Sequence, residues 1–120
     1  SFFEGIKFAK PGNHLNDIST AIQAYAESFG FGVVRDLVGH GIGSHLHEDP
    51  EVPNFKRRRK GILLQPGMTL AVEPMINAGS AKVQVSEANG WTVTTKDGSD
   101  SAQWEHTILI TEDGAEILTY

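Results

Sequence analysis

Apolar positions recur along this chain with two different periods, and the change of period divides it. Phe2, Phe3, Ile6 and Ala9 fall at helical spacing until Lys10-Pro11-Gly12 stops the pattern. From Leu15 to Phe29 a second helical stripe follows, with Ile18, Ile22, Tyr25, Ala26 and Phe29 as its apolar face. Asn16 and Asp17 stand at its start, where short polar side chains serve the free N–H groups, and Gly30 ends it. The period then shortens to two. Phe31 to Val34 reads as a short strand, Thr69 to Ile76 (TLAVEPMI) as a strand after the Pro66-Gly67 turn, and Gln103 to Thr111 (QWEHTILIT) as a longer one. Lys82 to Val85 and Trp91 to Thr95 pair around Asn89-Gly90, a strong hairpin dipeptide. Glu112-Asp113-Gly114 turns the last strand back through Ala115 to Leu118. Helices followed by a run of antiparallel strands predict an α+β fold in which a sheet packs on the helices.

Two carboxylates interrupt this pattern. In TLAVEPMI, Leu70 and Val72 face one way while Ala71 and Glu73 face the other, and Pro74 cannot donate to a strand ladder. Burying a charge without a partner is costly, so Glu73 lies either at an exposed edge or against a cation. Glu105 repeats the puzzle: Gln103, Glu105 and Thr107 share one face, with His106 on the opposite side. Between the helices and these strands lies GHGIGSHLHEDP, Gly39 to Pro50, with His40, His45 and His47. Its glycines rule out the helical HExxH zinc motif. Fully extended, the segment puts His45 and His47 on one face and His40 on the other, whereas a turn at Gly41 or Gly43 brings them together. The bland alternative is a glycine-rich loop with solvated histidines.

Composition narrows the chemistry. A chain of 120 residues, 39% hydrophobic and 21% charged, suits one soluble globular domain. Its formal charge of −5 exerts no general pull on nucleic acid or anionic membrane, and no apolar run is long enough to cross a bilayer. With no cysteine, any metal must sit on His, Asp or Glu, which suits Mn, Fe(II), Co or Zn. Lys56 to Lys60 (KRRRK) is an exposed basic loop whose sharper reading is docking on an acidic partner such as the RNA of the ribosome. The first residue is not Met, and SFFEGIKFAKPG reads as the end of a helix already under way, so a truncated chain is expected.

The strands thus offer His40 and His47, then Glu73, then Glu105, a set far more specific than any one member. The segments GHGIG with HEDPEVPNF, PGMTLAVEPM, and NGWTVTTKDGSDSAQWEHTILIT occur in that order, and through them the chain resembles the type I methionine aminopeptidases. That resemblance implies the pita-bread fold of the creatinase and aminopeptidase superfamily. It also implies His40 as a metal ligand, Glu73 as a metal ligand and proton shuttle, and Glu105 as the ligand bridging two divalent ions (Co, Mn, Fe(II) or Zn). By the same resemblance His47 is catalytic, contacting the substrate carbonyl or scissile amide, and Leu46 and Trp91 line the pocket for the methionine side chain. His45 is read as a surface residue, and His106 as structural or supporting. The implied activity is removal of N-terminal methionine from nascent chains with a small second residue, by a metal-activated hydroxide in the cytoplasm.

The family's two aspartate ligands and a further active-site histidine precede the matching segments. None of Glu4, Asp17, Glu27 or Asp36 stands in a comparable strand context. Residues 1–120 are therefore expected to be a single domain, the C-terminal half of the catalytic domain, needing the N-terminal half for a full site. The competing expectation is a catalytically inactive half-domain, a folding fragment or weak single-metal binder. A proline-specific aminopeptidase or prolidase relative is disfavoured because the segment from Asn89 to Glu105 follows the methionine-specific pattern.

Overall fold

The structure, a computed structural model, describes residues 1–90 and 92–119; Trp91 and Tyr120 lie outside the described residues. Helix α1 (Phe2–Ile6) buries Phe2 and Gly5, and the chain then turns through Gly12 at φ +92°. Helix α2 (Leu15–Ser28) starts at His14, whose N–H donates to the Asp17 carboxylate at 2.8 Å, and it runs out before Gly30 at φ +80°. Tyr25 and Phe29, expected on its apolar face, are 42% and 61% exposed. The stripe that is buried is Leu15, Ile18, Ser19, Ile22 and Ala26. Tyr25 and Phe29 fall at its margin and pack on one another, ring centroids 5.1 Å apart.

The strands are β1 (Gly32–Val33), β2 (Gly39–Gly41), β3 (Glu48–Val52), β4 (Thr69–Val72), β5 (Met75–Asn77), β6 (Val83–Val85), β7 (Val93–Thr95), β8 (Ser101–Gln103), β9 (His106–Ile110) and β10 (Ala115–Ile117). Among the described residues they form a five-stranded sheet in the order β10-β9-β4-β2-β3, a three-stranded sheet β1-β5-β8 and the hairpin β6-β7, all antiparallel.

Both long strands expected from the alternation are broken in two. TLAVEPMI divides into β4 and β5 around Glu73-Pro74, and QWEHTILIT yields the end of β8 and all of β9 around Trp104-Glu105. Pro74 has no N–H to give the ladder, so the β4–β9 pair leaves the larger sheet there and continues as β5–β8 in the smaller one. Register does not slip across the break. Val72 faces His106 on one side and Met75 faces Gln103 on the other, which leaves Glu73 opposite Glu105. The Trp104 N–H closes the bend on the Pro74 carbonyl at 3.2 Å.

Alternation then sorts the faces of the larger sheet. Leu70, Val72, Ile108 and Ile110 join Val52, Leu64, Phe2, Leu15, Ile18 and Ile22 in one hydrophobic core against the helices. His40 stands opposite Ala71, and Ala71 opposite Thr107, so these residues share the other face with Glu73 and Glu105. Strand β2 fits between β3 and β4 because it is glycine on both sides of His40. A Cβ on Gly39 would run into the Ala71 carbonyl, and one on Gly41 into that of Asp49. Gly39→Ala is expected to destabilise the fold by about 1–3 kcal/mol, the usual cost of overpacking a tight contact. Urea unfolding measures this, and an unchanged midpoint would mean that β2 and β4 do not approach so closely.

Candidate metal centre

His40 leaves the centre of β2, and its ring orientation follows from one hydrogen bond. Nδ1 lies 2.9 Å from the Gly41 carbonyl oxygen. A carbonyl can only accept, so Nδ1 carries the proton and Nε2 presents its lone pair outward, as a metal-binding imidazole requires. Nε2 stands 3.6 Å from Glu73 Oε1, and both side chains are largely buried.

Glu73 and Glu105 face each other because they occupy matching positions at the same break. Like charges directly opposite in a ribbon repel. Burial pushes the Glu73 carboxyl above its ordinary value first, and the charge of Glu105 adds to that; His40 and an amide hydrogen bond from Gln103 work against the rise. The Gln103 amide donates to Glu73 Oε2 at 3.3 Å. Donor atoms of His40, Glu73 and Glu105 all lie within 4.8 Å of one another, and no other such group occurs among the described residues. Two crowded carboxylates with an imidazole lone pair aimed between them form an acceptor-rich pocket that a divalent cation would neutralise.

His47 is not on a strand. After Gly41 the chain bends through residues 42–47 before β3 begins at Glu48, and the Glu48 carboxylate accepts the His45 N–H at 3.0 Å. The turn that the glycines allow brings His47 back over His40, ring centroids 4.2 Å apart and planes inclined by 46°. The two-faced arrangement of a fully extended segment is not adopted.

A groove of about 670 Å³ opens here, walled by His40, His45, His47, Glu73, Leu37 and Met75 and rimmed by Glu48, Asp49 and Glu51. His45 is exposed, as expected of a surface residue, yet it reaches this wall. Leu46, 68% exposed at the loop tip, is not part of it, and Trp91 lies outside the described residues. His106 faces the helices, its ring 5.3 Å from Phe2, and does not approach the groove. Gln103, Leu37 and Met75 carried no role in the sequence reading. Alternation already set Gln103 on the face of Glu105, whereas nothing local marked the two apolar residues.

The basic loop, residues 56–60, follows edge strand β3 in the chain. Lys56 to Lys60 are all exposed, and their backbone is pinned to helix α2. The Lys56 N–H reaches Gln23 at 2.6 Å, the Arg57 N–H reaches Asn16 Oδ1 at 2.8 Å, and the Lys60 carbonyl accepts the Asn16 N–H at 2.9 Å. Arg57 pairs with Glu51 at 3.3 Å; among the described residues no carboxylate pairs with Lys56, Arg58, Arg59 or Lys60.

This geometry accords with what the chain is similar to. The methionine aminopeptidase of Clostridium acetobutylicum is 56% identical over 119 residues, covering 99% of this chain and 47% of the relative. Methionine aminopeptidase 1 of Bacillus subtilis is 54% identical, with 48% of its length covered. Among solved structures, the methionine aminopeptidase from Rickettsia prowazekii superposes with a TM-score of 0.95 at 50% identity, over 99% of this chain and 48% of that one. The prolidase from Pyrococcus horikoshii, at 24% identity and a TM-score of 0.70, shares the fold alone. That fold is the pita-bread fold, and the chain spans about half the length of the curated relatives it matches. The profile of metallopeptidase family M24 matches residues 2–112, nearly the whole length, and the chain belongs to that family.

Proposed function

We propose that this chain supplies half of a divalent-metal aminopeptidase site that removes the N-terminal methionine from nascent proteins with a small second residue. The observation that carries the reading is the convergence of His40, Glu73 and Glu105 within 4.8 Å, with the His47 ring 4.2 Å from that of His40. Relatives at 54–56% identity are named methionine aminopeptidases.

One imidazole and two carboxylates without a thiolate fit hard or borderline ions: Co, Mn, Fe(II) or Zn. Glu105, facing Glu73 from the exposed side, suits a bridging position between two of them. When bound, such ions supply the Lewis acidity that polarises a carbonyl and makes a nucleophile from water at neutral pH. The protein's own groups do the rest. Glu73, beside His40 and opposite Glu105, is placed to pass a proton to the leaving amine. His47 donates to the oxygen on which negative charge develops. The acids Glu48, Asp49 and Glu51 at the rim attract the ammonium group of a chain terminus, and Leu46 with Trp91 would line the methionine pocket.

The site so assembled is open on one side, since Glu105 is exposed. The remaining ligands, two aspartates, would come from an N-terminal half docked there, and the expected compartment is the cytoplasm. The second reading, an inactive half-domain, describes residues 1–120 when isolated; the two readings differ only in whether that half is present. The cations of Lys56 to Lys60, their backbone hydrogen-bonded to helix α2 and four of them without an acidic partner among the described residues, support docking on an acidic surface such as ribosomal RNA.

Methionine release from Met-Ala-Ser with added Co or Mn tests the assignment. Residues 1–120 alone are expected to give none, and addition of the N-terminal half is expected to give turnover that Glu105→Ala lowers by at least about a hundredfold. Turnover that survives Glu105→Ala would sink the assignment. A second expectation concerns stability without metal. Because the folded Glu73 carboxyl is raised above its ordinary 4.5, its contribution is full below that pH and is lost as pH rises through the folded value. Glu73→Gln should therefore match the parent chain near pH 4, melt higher at pH 7.5 without metal, and lose the rise in Tm that added Co gives the parent. A parent chain as stable as the variant at pH 7.5 would contradict the crowding of the two carboxylates. For the basic loop, ribosome binding is expected to weaken as salt rises, and Arg58→Ala should reduce the log–log salt slope by about 1. Binding indifferent to salt would remove that role.

A further inference from the structure

Among the described residues only a few polar side chains are fully enclosed, and two of them lie on a single path from helix α2 to the back of the site. Ser19 is 1% exposed in the middle of α2, and its hydroxyl donates to the Pro53 carbonyl at 2.5 Å. The next residue, Asn54, is 0% exposed, and its Nδ2 donates to the main-chain carbonyl of Glu73 at 3.4 Å. Its Oδ1 has no hydrogen-bond partner among the described residues. A buried acceptor left unpaired is costly, and an apolar side chain at this position would avoid the cost. The value of an amide here therefore lies in its donor half, and that half points at Glu73.

The carbonyl it meets stands at the break between two strands. Glu73 lies between β4 and β5, followed by a proline that offers the ladder no N–H. The backbone course at this bend, together with the strand register and the Gln103 hydrogen bond, sets where the Glu73 carboxylate stands opposite Glu105 and beside His40 Nε2. Resting on the metal-site reading above, we infer that Asn54 is a positioning residue for the metal centre. Its amide, backed by Pro53 and Ser19 on the helix, clamps the Glu73 carbonyl and so sets the spacing of the two facing carboxylates. It touches neither the groove nor any of the donor atoms; it acts through the backbone of one of them.

The test measures Co(II) affinity spectroscopically in the full-length protein. Asn54→Ala and the better space-filling Asn54→Leu both remove the donor, and the second guards against simple collapse of the pocket. Asn77 provides a matched control. It is likewise 0% exposed with an unpaired Oδ1 and one hydrogen bond, to the Ser80 carbonyl at 2.9 Å, at the far end of β5. The Asn54 variants are expected to bind Co(II) about tenfold more weakly or worse, the scale seen when a ligand's supporting hydrogen bond is lost. Asn77→Ala should lower Tm while leaving Co(II) affinity within about twofold. Excess Co(II) should restore turnover in the Asn54 variants, which a damaged fold would not permit. Co(II) affinity in both Asn54 variants that falls no further than in Asn77→Ala would overturn the inference. Should Glu73→Ala and Glu105→Ala also bind Co(II) as tightly as the parent, the metal-site reading itself would be what failed.

Discussion

Two carboxylates held face to face across a paired ribbon are the constraint from which the rest of this structure can be understood. Glu73 and Glu105 oppose each other because the register between their strands is the same on either side of the break. Left alone they repel, and the burial of Glu73 makes its charge costlier still. The surroundings are arranged as partial compensation. The Gln103 amide donates to one oxygen of Glu73, and the His40 imidazole, oriented through the Gly41 carbonyl, stands near the other. None of these is a full counter-charge, so a cation beside the pair would offset the remaining repulsion.

The rest of the fold serves that placement. Helix α2 and the inner face of the five-stranded sheet supply the apolar burial that stabilises the domain, through Ile18, Ile22, Leu70, Val72, Ile108 and Ile110. The opposite face of the same strands carries His40, Glu73 and Glu105, so one period-two pattern places the core and this cluster at once. Strand β2 can deliver His40 between its neighbours only because the residues flanking it lack a Cβ.

Much of this was legible in the residues, and the exceptions have physical causes. Alternation assigned Ala71 with Glu73, and Gln103 with Glu105 and Thr107, to a common face, and the structure keeps those groupings. The hairpin around Asn89-Gly90 forms, with Gly90 at φ +73°. Strand continuity was misjudged at Glu73-Pro74 and Trp104-Glu105. A local pattern reports which way a side chain points, but not that a ribbon changes sheets. Tyr25 and Phe29 were placed in the core because they are apolar and correctly spaced, yet a stripe has edges, and what lies under an edge depends on distant chain. Asn54 and Ser19 left no signal at all: a buried polar residue is recognised by its partners, and those are 19 and 34 residues away.

Edge strand β3 has a further consequence. Its Glu48, Asp49 and Glu51 line the groove, and Glu51 also pairs with Arg57 of the exposed basic loop. Acidic and basic side chains thus meet at one residue of that strand. Neutralising either member of that pair would therefore change the charge of the basic loop and of the groove together.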